Sequence, residues 1–138
     1  MIELEKAKEH LLAGGYTCVL CKEQDVQVSE QRGVRPLVNW LESGQDFKGY
    51  YAADKVVGKA TAFLYVLMGV KAVYAKVISQ AALAVFKKYD IAVEYGQIAE
   101  YIINRKGDGM CPFESATLET DDAETAYGII SAKLKQMS

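Results

Sequence analysis

Ala52-Ala53-Asp54-Lys55-Val56-Val57-Gly58-Lys59-Ala60-Thr61-Ala62-Phe63-Leu64 reads as a buried strand turning directly into a buried helix, the mark of an α/β sheet. Phe47 to Ala53 reads as a buried strand, and Asp54 carries the short acceptor side chain that favours a helix N-cap. From there apolar residues cover nearly every face of a helix running to about Met68, which places it inside the protein. Strand-to-helix junctions of α/β sheets bind ligands because helix starts present free N–H groups and the positive end of the dipole. Lys55 and Lys59, four residues apart, concentrate positive charge at this junction.

Working outward toward the N-terminus, Ile2 to Ala13 has apolar residues spaced among charges and is stopped by Gly14-Gly15, so it reads as a helix. Tyr16–Lys22 and Val26–Ser29 are β-rich runs split by Glu23-Gln24-Asp25, a hairpin signal. After the break at Gly33-Val34-Arg35-Pro36, the residues Leu37, Val38, Trp40 and Leu41 suit a short helix ending near Gly44. Toward the C-terminus, Val70–Ile78 reads as a strand, and Ser79 caps a helix over Gln80–Lys88. Asp90–Tyr95 follows as a strand. Ile98, Tyr101 and Ile102 predict a short helix ending at Asn104, before a loop over Arg105–Met110. Ser115–Glu119 reads as a last short strand. Asp121 with Glu124 predicts a capping box for a C-terminal helix that turns Ala123, Ala126, Tyr127, Ile130 and Leu134 inward. Such alternation predicts an α/β fold, a single domain over residues 1–138 with a mixed central sheet between helices.

The 138 residues, 51% hydrophobic and 25% charged, suffice for one core without disulfide staples. A net charge of −2 argues against a nucleic-acid polymer or a membrane surface as partner, since either calls for a basic face. The apolar run Ala60–Val70 is too short for a bilayer, which needs about 20 residues. Met1-Ile2-Glu3-Leu4-Glu5-Lys6 lacks the basic and apolar regions of a secretory signal. With three cysteines besides, a reducing cytoplasm is the expected compartment.

Among candidate chemistry, Lys59 leads. It lies among the small residues of Gly58-Lys59-Ala60-Thr61-Ala62, where a ligand group could approach closely as an anion or be served by a base of lowered pKa. A phosphate-binding P-loop is excluded, since Ala53 stands where it needs glycine and Ala60 where it needs Ser or Thr. Cys18-Val19-Leu20-Cys21 has redox or zinc spacing, but strand residues three apart point to opposite faces. Cys111-Pro112-Phe113-Glu114 places a thiol near a carboxylate after the loop with Gly107-Asp108-Gly109, without a histidine to activate it. His10 reads as a solvated residue of the first helix, and Arg32 and Arg35 as loop cations.

Taken together, Gly33-Val34-Arg35-Pro36-Leu37, Asp54-Lys55-Val56-Val57-Gly58-Lys59-Ala60, Ile102-Ile103-Asn104-Arg105 and Cys111-Pro112-Phe113-Glu114 resemble the prokaryotic family termed domain of unknown function 1893. The resemblance runs from about Tyr16 to Glu119. It implies a cytidine-deaminase-like fold, a three-layer α/β/α sandwich with a mixed sheet, in agreement with the element order above. It does not carry the zinc activity. Zinc deaminases need His or Cys with Glu at one helix start and Pro-Cys-x-x-Cys at the next. Here the first helix opens with Asp54-Lys55 and the second with Ser79-Gln80-Ala81-Ala82.

The resemblance sets the two helix starts side by side. The expectation is a pocket without metal or cofactor for a small anionic or nucleotide-like ligand. Lys59 and Asp54 form its catalytic candidates, and Lys55, Gly58, Ser79, Asn104, Cys111 and Glu114 line it. The alternative is a non-catalytic binding or assembly module on the same frame. Trp40, Tyr50, Tyr51, Tyr65 and Tyr74 supply aromatic surface for a homo-oligomer wherever they are exposed.

Overall fold

Two hydrophobic layers form on a single sheet, because its strands turn alternate side chains to opposite faces. In the computed structural model, which describes residues 2–137, the chain runs through α1 (Ile2–Ala13), β1 (Cys18–Lys22), β2 (Asp25–Ser29), α2 (Arg35–Glu42) and β3 (Tyr51–Val57). It continues through α3 (Lys59–Met68), β4 (Ala72–Ser79), α4 (Gln80–Lys88), β5 (Ala92–Ala99), α5 (Pro112–Thr117) and α6 (Ala123–Met137). The strand order is β2-β1-β3-β4-β5. β1 is antiparallel to both β2 and β3, while β3–β4 and β4–β5 are parallel, so α3 and α4 serve as the crossovers that parallel pairs require.

On one face α1 buries Leu4, Ala7 and Leu11 against Val19, Cys21, Tyr51, Ala53, Ala72 and Tyr74. The larger core lies on the other face, where α3 is flanked by α2, α4, α5 and α6. This central position explains the all-round apolar sequence of α3, whose Phe63, Leu64 and Tyr65 are fully buried. The helix stops at Gly69, whose φ of 75° is the left-handed C-cap conformation that glycine adopts without strain. The architecture is the expected α/β/α sandwich around a mixed sheet.

The junction differs from its reading. β3 continues to Val57, and α3 begins at Lys59 with Gly58 as N-cap. Asp54 is therefore a mid-strand residue and caps no helix, and Lys55 is an exposed strand residue outside the helix start. The reason is a slip in the strand alternation. Lys55 and Val56 are both exposed, yet Val57 rejoins the core that holds Ala52. β4 does the same between Ala75 and Ile78. The slip falls on the row Lys55–Lys76–Gly96, with paired rows of unchanged register on either side. At Gly96 a Cβ would sit 3.0 Å from the Lys76 carbonyl oxygen, so this row accepts no side chain on β5.

Three further elements depart from expectation. β3 starts at Tyr51 rather than Phe47, because Gly49 turns the chain with a φ of 82°. No helix forms over Ile98–Asn104. β5 extends to Ala99, and the segment beyond it folds back through a bridge between Ile103 and Met110. Ser115–Glu119 is not a strand, since Pro112 starts α5 and its fixed φ suits a first helical turn. At α6 the capping acceptor is Asp122, which takes the Thr125 N–H at 3.1 Å, rather than Asp121.

Candidate functional site

Because β3 and β4 are parallel neighbours, the starts of α3 and α4 lie side by side at one end of the sheet. Both starts carry orphan N–H groups. Ser79 meets the need of α4 with its own side chain, its Oγ accepting from Ala82 N–H at 3.1 Å. Gly58 offers α3 no side chain. The missing acceptor is Glu114, delivered from α5 and only 2% exposed. Its Oε1 accepts from Lys59 N–H at 2.9 Å and from the Ser79 hydroxyl at 2.7 Å, and its Oε2 accepts from Ile102 N–H at 2.7 Å. One carboxylate thus caps α3, orients the cap of α4 and ties down the segment after β5. Both helix starts share one side-chain acceptor. A Cβ on Gly58 would lie 3.1 Å from Glu114 Oε2 and 3.1 Å from Ile102 Cγ1, so the bare backbone lets the carboxylate approach.

Of the candidate residues, the fold brings Gly58, Lys59, Ser79 and Glu114 together at this corner. Half-buried Lys59 sends its ammonium to the Leu118 carbonyl at 2.6 Å and over the Phe63 ring at 5.8 Å, pinning the end of α5 to α3. Asn104 works inside its own loop. Its side-chain oxygen accepts from Gly107 and Asp108 N–H groups, and its amide donates to Asp108. Cys111 is the half-buried N-cap residue of α5, and its N–H donates to the Ile102 carbonyl at 2.7 Å. Lys55 projects from β3 into solvent.

Asp54 belongs to a second polar cluster. It pairs across the sheet with Cys18 and accepts from the Tyr65 hydroxyl at 2.7 Å, while Cys18 Sγ lies 2.9 Å from that hydroxyl. All three side chains are buried in the larger core. Burial pushes the Asp54 carboxyl up to about 7, against the opposing pull of its hydrogen bonds to Tyr65 and Val56 N–H. Burial likewise drives the Cys18 thiol and the Tyr65 phenol well above their ordinary values. The three groups bond to one another inside the core. Cys21 lies in the opposite core, so the two C-x-x-C sulfurs face away from each other across the sheet.

Sequence reading missed the Ile102 amide, the Leu118 carbonyl, Tyr65 and Cys18. Nothing local marks them. Glu114 lies 55 residues from Lys59 and 35 from Ser79, and Tyr65 looks like any core aromatic of α3.

Among the described residues, no three His, Cys, Asp or Glu side chains gather as a metal site, and no helix is long and apolar enough to cross a membrane. Open depressions of about 340 and 380 Å³ lie along α1, one lined by Ile2, Glu5, Lys6 and Glu9, the other by Glu9, His10, Ala13, Gly14 and Tyr16. They are on the face of the sheet away from Glu114.

The family model described as Domain of unknown function (DUF1893) matches residues 6–134. No curated protein matches the chain. A crystal structure of a DUF1893 family protein from Thermotoga maritima is similar to it with a TM-score of 0.89 and 28% identity, over 96% of this chain and 90% of that one. Neither description carries an activity. With nearly its whole length covered by the family model, this chain belongs to the DUF1893 family.

Proposed function

We propose that this chain is a non-catalytic binding or assembly module of the cytoplasm, built on a cytidine-deaminase-like frame whose helix-start corner is closed by its own carboxylate. The observation that carries the reading is Glu114, which takes the donors of Lys59, Ser79 and Ile102 at the place where a ligand anion would sit. An incoming anion would have to evict it and strand a carboxylate in the interior, at a cost of several kcal/mol. The corner does not fit a deaminase zinc ion either. α3 starts at Gly58-Lys59 and α4 at Ser79-Gln80, without His or Cys at either start, and Cys111 sits at the head of α5.

The rival reading is a metal-free pocket for a small anionic or nucleotide-like ligand. Lys59 would contact the anion or act as base, and Asp54 would join the catalytic set. It draws on half-buried Lys59, whose ammonium bonds to the Leu118 carbonyl beside the corner. A thermal-shift panel of nucleotides, sugar phosphates and carboxylates separates the two, run on the wild type and on Lys59→Met. The closed corner gives no stabilisation by any class. A shift of several degrees from one class, abolished in Lys59→Met, would establish the pocket instead.

A further inference from the structure

We infer that two copies of this chain join through the free edges of β5, antiparallel about a two-fold axis at Tyr95, and merge their five-stranded sheets into one. The inference gives the assembly reading its contact surface. β5 is the last strand of the sheet, so alternate residues along its eight-residue length present an unpaired row of backbone N–H and C=O groups. Among the described residues no loop or side chain bonds to that row. Natural edges are blunted by shortness, proline or several charges. β5 is long, has no proline and carries a single charged residue, Glu94. The opposite edge strand, β2, spans five residues and opens on Asp25.

Large apolar side chains of the strand and of the segment after it are exposed. Tyr95 is 43% exposed and Ile98 42%, followed by Tyr101 and Ile103 beyond the strand. The strand alone offers roughly 26 Å of pairing at about 3.3 Å per residue.

Charge disfavours two of the possible registers and leaves Glu94 a cation to face in another. A two-fold axis normal to the sheet must pass through a residue that opposes itself. Centring on Glu94 sets two glutamates face to face, and centring on Gln97 opposes Glu94 to Glu100, both unfavourable. Centring on Gly96 opposes Glu94 to Ile98. Centring on Tyr95 stacks two tyrosines and opposes Glu94 to Gly96 of the second copy. Gly96 bears no side chain, and exposed Lys76 lies beside it on β4. The Glu94 carboxylate then reaches across roughly 10 Å, two strand spacings, toward the lysine of the other copy. In the single chain Glu94 already receives Lys8 at 2.9 Å, so each acid would sit between two cations.

Sedimentation of the wild-type protein at about 100 μM tests this, a concentration at which a micromolar dimer is mostly associated. The expected mass is twice 15.2 kDa. Tyr95→Lys, which places two cations at the axis, is expected to give a folded monomer by circular dichroism. Lys76→Glu is expected to weaken the dimer roughly tenfold by facing acid with acid. A wild-type monomer overturns the inference, as does a Tyr95→Lys protein that still dimerises or an unchanged affinity in Lys76→Glu. Should Tyr95→Lys fail to fold, hydrogen exchange decides on the wild type. Amides of Val93–Ile98 must gain protection as concentration rises, and equal exchange at all concentrations refutes the edge contact. A monomer in these measurements leaves the closed corner standing, and a ligand response in the thermal-shift panel leaves the dimer standing.

Discussion

Two carboxylic acids are buried on the α3 side of the sheet, and they are held in opposite ways. Glu114 receives two backbone N–H groups and a hydroxyl from three separate segments. Asp54 receives a phenol and one long backbone contact, from Val56 N–H at 3.3 Å, among apolar neighbours. Burial pushes the Asp54 carboxyl up, and its few donors only partly offset this. The lesson is that depth does not decide the role of an interior acid. Glu114 is a structural acceptor that joins α3, α4, α5 and the Ile102 segment, whereas Asp54 bonds to its neighbours within one layer.

The sharpest break of this contrast is Glu114→Ala. It leaves the Lys59 N–H, the Ile102 N–H and the Ser79 hydroxyl without their acceptor, and a loss of about 5 kcal/mol in urea unfolding is expected. Glu114→Gln, which keeps one acceptor oxygen, should lose clearly less. An alanine variant as stable as wild type would remove the corner's structural role.

Asp54 comes next, through pH. Well below pH 3.8 its carboxyl is protonated in both the folded and the unfolded chain. Between the ordinary value of 3.8 and about 7 the folded state keeps the proton that the unfolded state releases, so stability falls as pH rises through this window and levels off above it. Measured against Asp54→Asn, the wild type should lose about 3 kcal/mol between pH 4 and pH 7. Parallel pH profiles of the two proteins would show the carboxyl to be ordinary.

Gly58→Ala is smaller. Its new methyl meets Glu114 Oε2 and Ile102 Cγ1 at 3.1 Å, and because the carboxylate is fixed by three donors it cannot yield freely. Overpacking of about 1 to 2 kcal/mol is expected, and it should vanish in a Glu114→Ala background if the carboxylate is its cause. Lys59→Met is the smallest, below about 1 kcal/mol, because what is lost is an exposed bond to the Leu118 carbonyl and a contact over the Phe63 ring.

The sequence made the sandwich legible because its signals are local. The α1 periodicity, the hairpin around Glu23, the Ser79 cap and the apolar α3 all lie within a dozen residues of their evidence. The candidate corner was legible in part, since Gly58, Lys59 and Ser79 sit at the helix starts and Glu114 reaches them. Its logic was not. A glycine N-cap looks like an uncapped start until a carboxylate from 55 residues away fills it. Asp54 looked like a cap because a short polar residue after apolar ones usually is one. What makes it a strand residue is the Tyr65 hydroxyl and the strand pairing with Cys18, both invisible in a local window. The row Lys55–Lys76–Gly96 compounds the error, because a slip in alternation imitates the end of a strand.

The divided cysteine pair has a practical consequence. Cys18 and Cys21 are one strand turn apart in sequence, but each is sealed under a different layer, Cys18 under α3 and Cys21 under α1. Their alkylation rates therefore act as two independent clocks, one for the lifting of each layer, while half-buried Cys111 reads the background rate. A chain that opens all at once would stop both clocks together, and one that sheds α1 first would release Cys21 alone.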